Sequence, residues 1–106
     1  MPDENSKKVY MKIHNARGET VVAMCDCEVL GKTFKEGGLR ITVNERFYRG
    51  YLVDVDECDP YLREASIGNF VGDVSVSKAI KLGLVDEKNV IRIEGVPHAQ
   101  MVRMFI

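Results

Sequence analysis

The stretch KVYMKIHN, residues 8–15, constrains this chain more than any other, because apolar and polar residues alternate through it without a break. Val9, Met11 and Ile13 fall on one side of an extended chain, and Lys8, Tyr10, Lys12 and His14 on the other. A period of two is the signature of a strand with one buried and one open face. Such a strand needs a neighbour. Asn15 and Gly18 supply turn chemistry, and TVVAMCD, residues 20–26, resumes strand character, so residues 7–26 are predicted to form a hairpin.

Beyond it, Asp26 is placed to cap a short helical turn through CEVLGKTF, which ends near Gly37 and Gly38. LRITVN and FYRGYLVD then have the pattern of two more strands. A helix is expected from Asp59, where an acceptor side chain precedes Pro60, with Leu62, Ala65 and Ser66 as its buried stripe. A second is expected from Asp73, carrying Val76, Ala79 and Ile80 inward and ending at Gly83. IGNFVGD between them is expected to be a loop or tight turn. Two closing strands, VIRI and QMVRMF, flank a stiff Gly-Val-Pro-His-Ala link. Strands, then helices, then strands favour an α+β class, with two layers formed by helices on a mainly antiparallel sheet.

With 106 residues the chain fits one domain, expected over 7–106 after a flexible tail at 1–6. No apolar run approaches a membrane span, and the polar start MPDENSKK lacks a signal-peptide core, so a cytoplasmic location without membrane attachment is expected. The odd set Cys25, Cys27 and Cys58 suits free thiols in a reducing compartment. The net charge of −1 excludes a strong nonspecific field for nucleic acid, but its distribution is uneven. Residues 7–49 hold nine Lys or Arg against five acids, and residues 50–75 hold one Arg against six.

Two clusters are candidate binding sites. In the closing hairpin, Pro97 stiffens the chain around His98, with Gln100, Arg103 and Glu94 close in sequence; a titratable ring, an amide and a guanidinium suit recognition of a polar partner. Alternatively His98 serves a nearby carbonyl and Arg103 pairs with Glu94 or a helix end. On the first strand, Lys8, Tyr10, Lys12 and His14 interleave cations with rings, as on surfaces that hold single-stranded RNA, and Arg40 with Thr42 extends the patch; a plain solvated strand face has the same pattern. GNFVGD before a helix lacks the Gly-Lys-Ser/Thr ending of a P-loop and reads better as a capped helix start. The cysteine and histidine spacings match no zinc ribbon or finger, so no metal site is assigned. No base is placed beside a thiol and no carboxylate pair is recognisable, so no catalytic residue is assigned either.

YMKIHNARGETVVAMCD, LGKTFKEG, SIGNFVGD and above all NVIRIEGVPHAQMVRM resemble, in wording and order, the archaeal family called domain of unknown function 424. The resemblance spans nearly everything after the tail. It implies an archaeal cytosolic protein with a compact α/β fold, no cofactor and an association with RNA or translation. Together with the residues it gives the expectation of a noncatalytic module binding RNA or a ribonucleoprotein through His98, Gln100, Arg103, Lys8, Tyr10, Lys12 and His14. The rival expectation is a protein-interaction or adaptor module that docks a larger enzyme or a second copy of itself through the strand edge beside the closing hairpin or through the acidic helical segment, with an exposed apolar patch as its mark, and a small enzyme using His98 is the third. The oligomeric state is open.

Overall fold

The computed structural model describes residues 7–103. The predicted hairpin is present: strands β1 (Lys8–Ala16) and β2 (Glu19–Asp26) pair antiparallel from Val9↔Asp26 to Ala16↔Glu19. Arg17 and Gly18, both at positive φ, make its turn. The expected tail at 1–6 lies outside the described residues.

Residues 27–50 are an excursion from the sheet. A 3-10 turn (Cys27–Val29) forms at the start of the helical turn expected over CEVLGKTF, and the chain then enters a small separate hairpin, β3 (Thr33–Glu36) and β4 (Leu39–Thr42), so Thr33 and Phe34 are strand where the helical turn was expected to continue. Asp26 makes no side-chain bond to that turn. A short helix α1 (Glu45–Tyr48) replaces the first half of the strand expected over FYRGYLVD, because the Asn44 side chain accepts from the backbone N–H groups of Arg46 and Phe47 and so caps a helical turn there. Strand β5 (Tyr51–Asp54) follows and pairs antiparallel with β1.

A second 3-10 turn (Val55–Cys58) runs into helix α2 (Asp59–Glu64), which starts at Asp59-Pro60 as anticipated. The segment expected to be a loop is instead a central strand, β6 (Ile67–Val71). Gly68 had pointed to a turn, yet it is required by packing: a Cβ there would stand 2.7 Å from the Phe70 ring. Helix α3 (Asp73–Lys81) closes as predicted, with Gly83 at φ +75° and bonds from Gly83 N to Ile80 O and Leu84 N to Ala79 O. Strands β7 (Ile91–Ile93) and β8 (Val96–Val102) finish the fold. Their turn is Glu94-Gly95, both at positive φ, so Pro97 and His98 belong to β8 and not to a link between strands.

Six strands form one mixed sheet in the order β5-β1-β2-β6-β8-β7, antiparallel except where β2 meets β6. The fold is therefore α+β and mainly sheet. Register assigns side chains to faces. Met11, Met24, Phe70 and Ala99 share a row on one face, where Leu62 of α2, Ala65 just after it, and Val76 and Ala79 of α3 complete a common core. Cys25 and Val71, with Tyr10, face the other way and pack under Val29, Val43 and Tyr48 of the excursion. Helices cover one face of the sheet and residues 27–50 cover part of the other.

Asp26 ties β2 to α3. Its carboxylate accepts from Val74 N, Ser75 N and Ser75 Oγ, each at 2.9 Å. The capping acceptor is thus supplied by a strand 48 residues away in sequence from Val74, while Asp73 lies inside the first helical turn. Gly72, at φ +108°, allows the approach, since a Cβ on it would fall 2.3 Å from the carboxylate carbon.

Candidate functional site

The second face gathers most of the residues selected from sequence. Tyr10 and His98 end one row, Lys12 and Gln100 the next, and His14 and Val102 a third, with β2 and β6 between them. At a strand spacing of roughly 4.8 Å, residues of β1 and β8 in one row stand about 14 Å apart. They share a face without forming a cluster. Arg103 is elsewhere: it follows Met101 in parity, lies toward the helices, and donates to the carbonyl of Arg63 near the end of α2. Glu94 is turned toward the small hairpin, where its carboxylate accepts from Lys35 N and its N–H donates to Glu36.

Most of these groups are engaged within the fold. Lys12 Nζ donates to Arg46 O at 2.6 Å, and His14 meets Phe47 O at 2.9 Å while its ring stacks on the Phe47 ring at 4.8 Å. Together they hold α1 over β1. Lys8 pairs with Asp54 at 3.2 Å, and Tyr10 is half-buried against the excursion. Gln100 donates to Asn69 across β8 and β6. His98 Nδ1 lies 3.1 Å from Phe70 O, and burial lowers its pKa against the opposing effect of that bond, which favours the neutral ring. A neutral, half-buried imidazole facing a carbonyl is a poor phosphate ligand and is not placed beside any thiol.

The thiols are similarly quiet. Burial, with Asp26 next, pushes Cys25 up to about 12, and burial with Asp59 pushes Cys58 up to about 11. Cys25 and Cys58 belong to the two different cores, and Cys27 is exposed. Among the described residues no group of three His, Cys, Asp or Glu converges as a metal site would require.

An open apolar surface lies on the helix-covered face instead, at the sheet edge. Met11 and Ile13 of β1 and Val53 of β5 floor a groove of about 740 Å³. Tyr51 rises from β5 on one side, Pro60 and Tyr61 stand on α2, and Asp56 and Glu57 supply the rim. Tyr51 is 73% exposed, Leu52 beside it 55% and Tyr61 50%. Single exposed apolar residues are ordinary, but two tyrosines flanking one apolar groove are a surface feature that asks for a cover; Leu52, paired with Tyr10, faces the other side of the sheet.

Lys78 of α3 braces this groove. Nearly buried, its Nζ lies 2.7 Å from Asp56 Oδ1 and 3.0 Å from Asp59 Oδ1, which ties α3 to the 3-10 turn and to α2. Asp59 Oδ1 is itself buried and touches the ammonium off the hydrogen-bonding direction. Burial opposes the charge on Lys78, but the hydrogen bond it donates to Asp56 and the negative charge of both carboxylates outweigh it and raise the pKa. Glu57 forms no ion pair among the described residues.

Residues 14–104 match the family described as "Protein of unknown function (DUF424)". The chain belongs to that family. A crystal structure of an uncharacterized conserved protein from Methanopyrus kandleri has the same fold, with a TM-score of 0.78 and 28% identity over 93% of this chain and 96% of that one. No curated protein matches. The family membership expected from NVIRIEGVPHAQMVRM and its companion stretches is therefore shown, and it brings no assigned activity.

The groove residues were not selected from sequence. YLVD showed strand alternation, but nothing local marks it as an outer strand, and Tyr61 lies beside Leu62 of the buried stripe, where an aromatic is unremarkable. The one available sign was the acidic run from Asp54 to Glu64, which supplies the rim.

Proposed function

We propose that this chain is a noncatalytic docking module that receives a segment of a partner protein in the groove between β5 and α2. The observation that carries this is the joint exposure of Tyr51 and Tyr61 beside an apolar floor at the sheet edge. Tyrosines offer large contact areas at low entropic cost and are enriched where interfaces bind tightly. No helix of the described residues is long and apolar enough to cross a membrane. The archaeal, cytoplasmic setting implied by the family fits such a module.

Binding of RNA or a ribonucleoprotein is the second reading. It is favoured by the basic segment 7–49, which contributes β1, β2 and the excursion, and by the presence of His98, Gln100, Lys12 and His14 on one face. It ranks second because these side chains have internal partners.

Affinity capture from cell extract by the wild type and by a folded Tyr51→Ser/Tyr61→Ser variant, alongside gel shifts with transfer and ribosomal RNA, separates the two. A protein retained saturably by the wild type and lost from the variant supports docking. Saturable, salt-sensitive RNA binding that the variant retains, with no protein lost from it, refutes docking in favour of RNA.

A further inference from the structure

The geometry of the groove identifies the chemistry of its occupant. Strand β5 is outermost and, among the described residues, pairs only with β1. The bond from Val55 N to Lys7 O sets the alternation, so the Val53↔Val9 and Tyr51↔Met11 pairs exchange bonds with β1 and Leu52 directs its N–H and C=O outward. An open edge of this kind accepts an extended peptide as an added strand. Alternate side chains of that strand would lie on the groove side, over Tyr51 and toward Tyr61.

Charge decides which side chains fit there. The segment 50–75 holds six acids and one arginine, and Glu57 on the rim forms no ion pair among the described residues. Tyrosine faces attract guanidinium and ammonium groups, whose stems also cover apolar surface. We propose that the groove takes an extended, arginine-bearing basic segment of a partner protein, which adds as a strand outside β5 and lays its cations across Tyr51 and Tyr61 toward Glu57. The proposal rests on the docking reading and names its partner class. Pairing of β5 with β5 of a second copy fits less well, since β5 carries no basic residue to offer. The chain's own start has the wrong sign, with Asp3 and Glu4 among its first six residues. The acidic rim likewise repels the phosphates of RNA.

The test is a titration of isotope-labelled full-length protein with three blocked synthetic heptapeptides, alternating arginine with threonine, valine with threonine, and glutamate with threonine. The arginine peptide is expected to bind about tenfold more tightly than the valine peptide, as one cation–π contact plus one exposed ion pair provide. It should shift amides across residues 50–61, protect the Leu52 N–H from exchange, and weaken with salt. Glu57→Gln should reduce arginine-peptide affinity and leave valine-peptide affinity unchanged. Valine or glutamate peptide binding in the groove as tightly as arginine overturns the basic partner and leaves docking standing. No shift at the groove with any peptide overturns both. A dimer in sedimentation that protects Leu52 without peptide overturns the basic partner in favour of a second copy, and a uridine decamer shifting these amides overturns both readings.

Discussion

Replacing Asp26 by alanine probes the connection between sheet and helix. The carboxylate is 2% exposed and accepts from three donors at 2.9 Å. Two of them belong to Ser75, which is fully buried, and would be left unsatisfied at about 1–2 kcal/mol each. Water can reach the part-exposed Val74 N, which adds little, and release of a buried carboxylate returns part of the loss. The expected destabilisation is about 2–3 kcal/mol, or a fall in Tm of roughly 10–20 °C for a domain of this size. Urea unfolding followed by circular dichroism measures it. Ser75→Ala removes one donor and should cost about 1 kcal/mol, with the double variant less damaged than the two losses added, because the partners share one interaction.

The pH dependence gives an independent check. Burial raises the Asp26 pKa above 3.8, outweighing the bonds from Val74 and Ser75 that lower it. The folded state then holds the proton more tightly than the unfolded chain. The resulting stability is fully present below 3.8 and is lost as pH rises through the folded value. The stability of the wild type relative to Asp26→Asn should therefore decline from acid toward neutral pH. A loss under about 0.5 kcal/mol on Asp26→Ala would refute the capping role, since replacing even a weak helix cap costs that much. An advantage over asparagine that grows with pH would show that the hydrogen bonds, and not burial, dominate the carboxylate.

Side-chain geometry sets three further outcomes. Lys78→Met keeps the packed stem but leaves Asp59 Oδ1 buried without its cation, so stability should drop by about 1–3 kcal/mol in urea unfolding. Asp56, held low chiefly by its hydrogen bond to Lys78, should titrate at higher pH by carbon-detected NMR. A thiol reagent at mildly alkaline pH should modify Cys27 in the native protein and spare Cys25 and Cys58, then reach all three in denaturant; rapid native labelling of a second cysteine would contradict the packing.

What could be read from sequence was what short-range chemistry controls. The alternation from Lys8 to His14 yields β1 and its correct faces, and Asp59-Pro60 and Gly83 mark helix ends because their effects are local. The reading fails where a neighbour distant in sequence overrides the local signal. Gly68 looks like a breaker until Phe70 needs its empty side, and Asp26 looks like the cap of the next turn until α3 arrives beside it. Asn44, which turns ERFY into α1, carries a cap signal in the sequence that the strand pattern of its neighbours obscures.

The same division separates the two candidate surfaces. Lys12, His14, His98 and Arg103 carry the right groups for binding, and sequence could identify those groups but not their partners. Backbone carbonyls of Arg46, Phe47, Phe70 and Arg63, brought close only by folding, engage them. Tyr51 and Tyr61 had no such signal, and the exposure of Tyr51 follows from β5 being the outer strand on its side of the sheet among the described residues. Sequence by itself determined the strand period, the helix ends, the family and the sign of the acidic segment, because each resides in the order of residues along the chain. Tertiary structure alone decided which polar groups are satisfied and which apolar ones lack a cover, because both depend on neighbours distant in sequence.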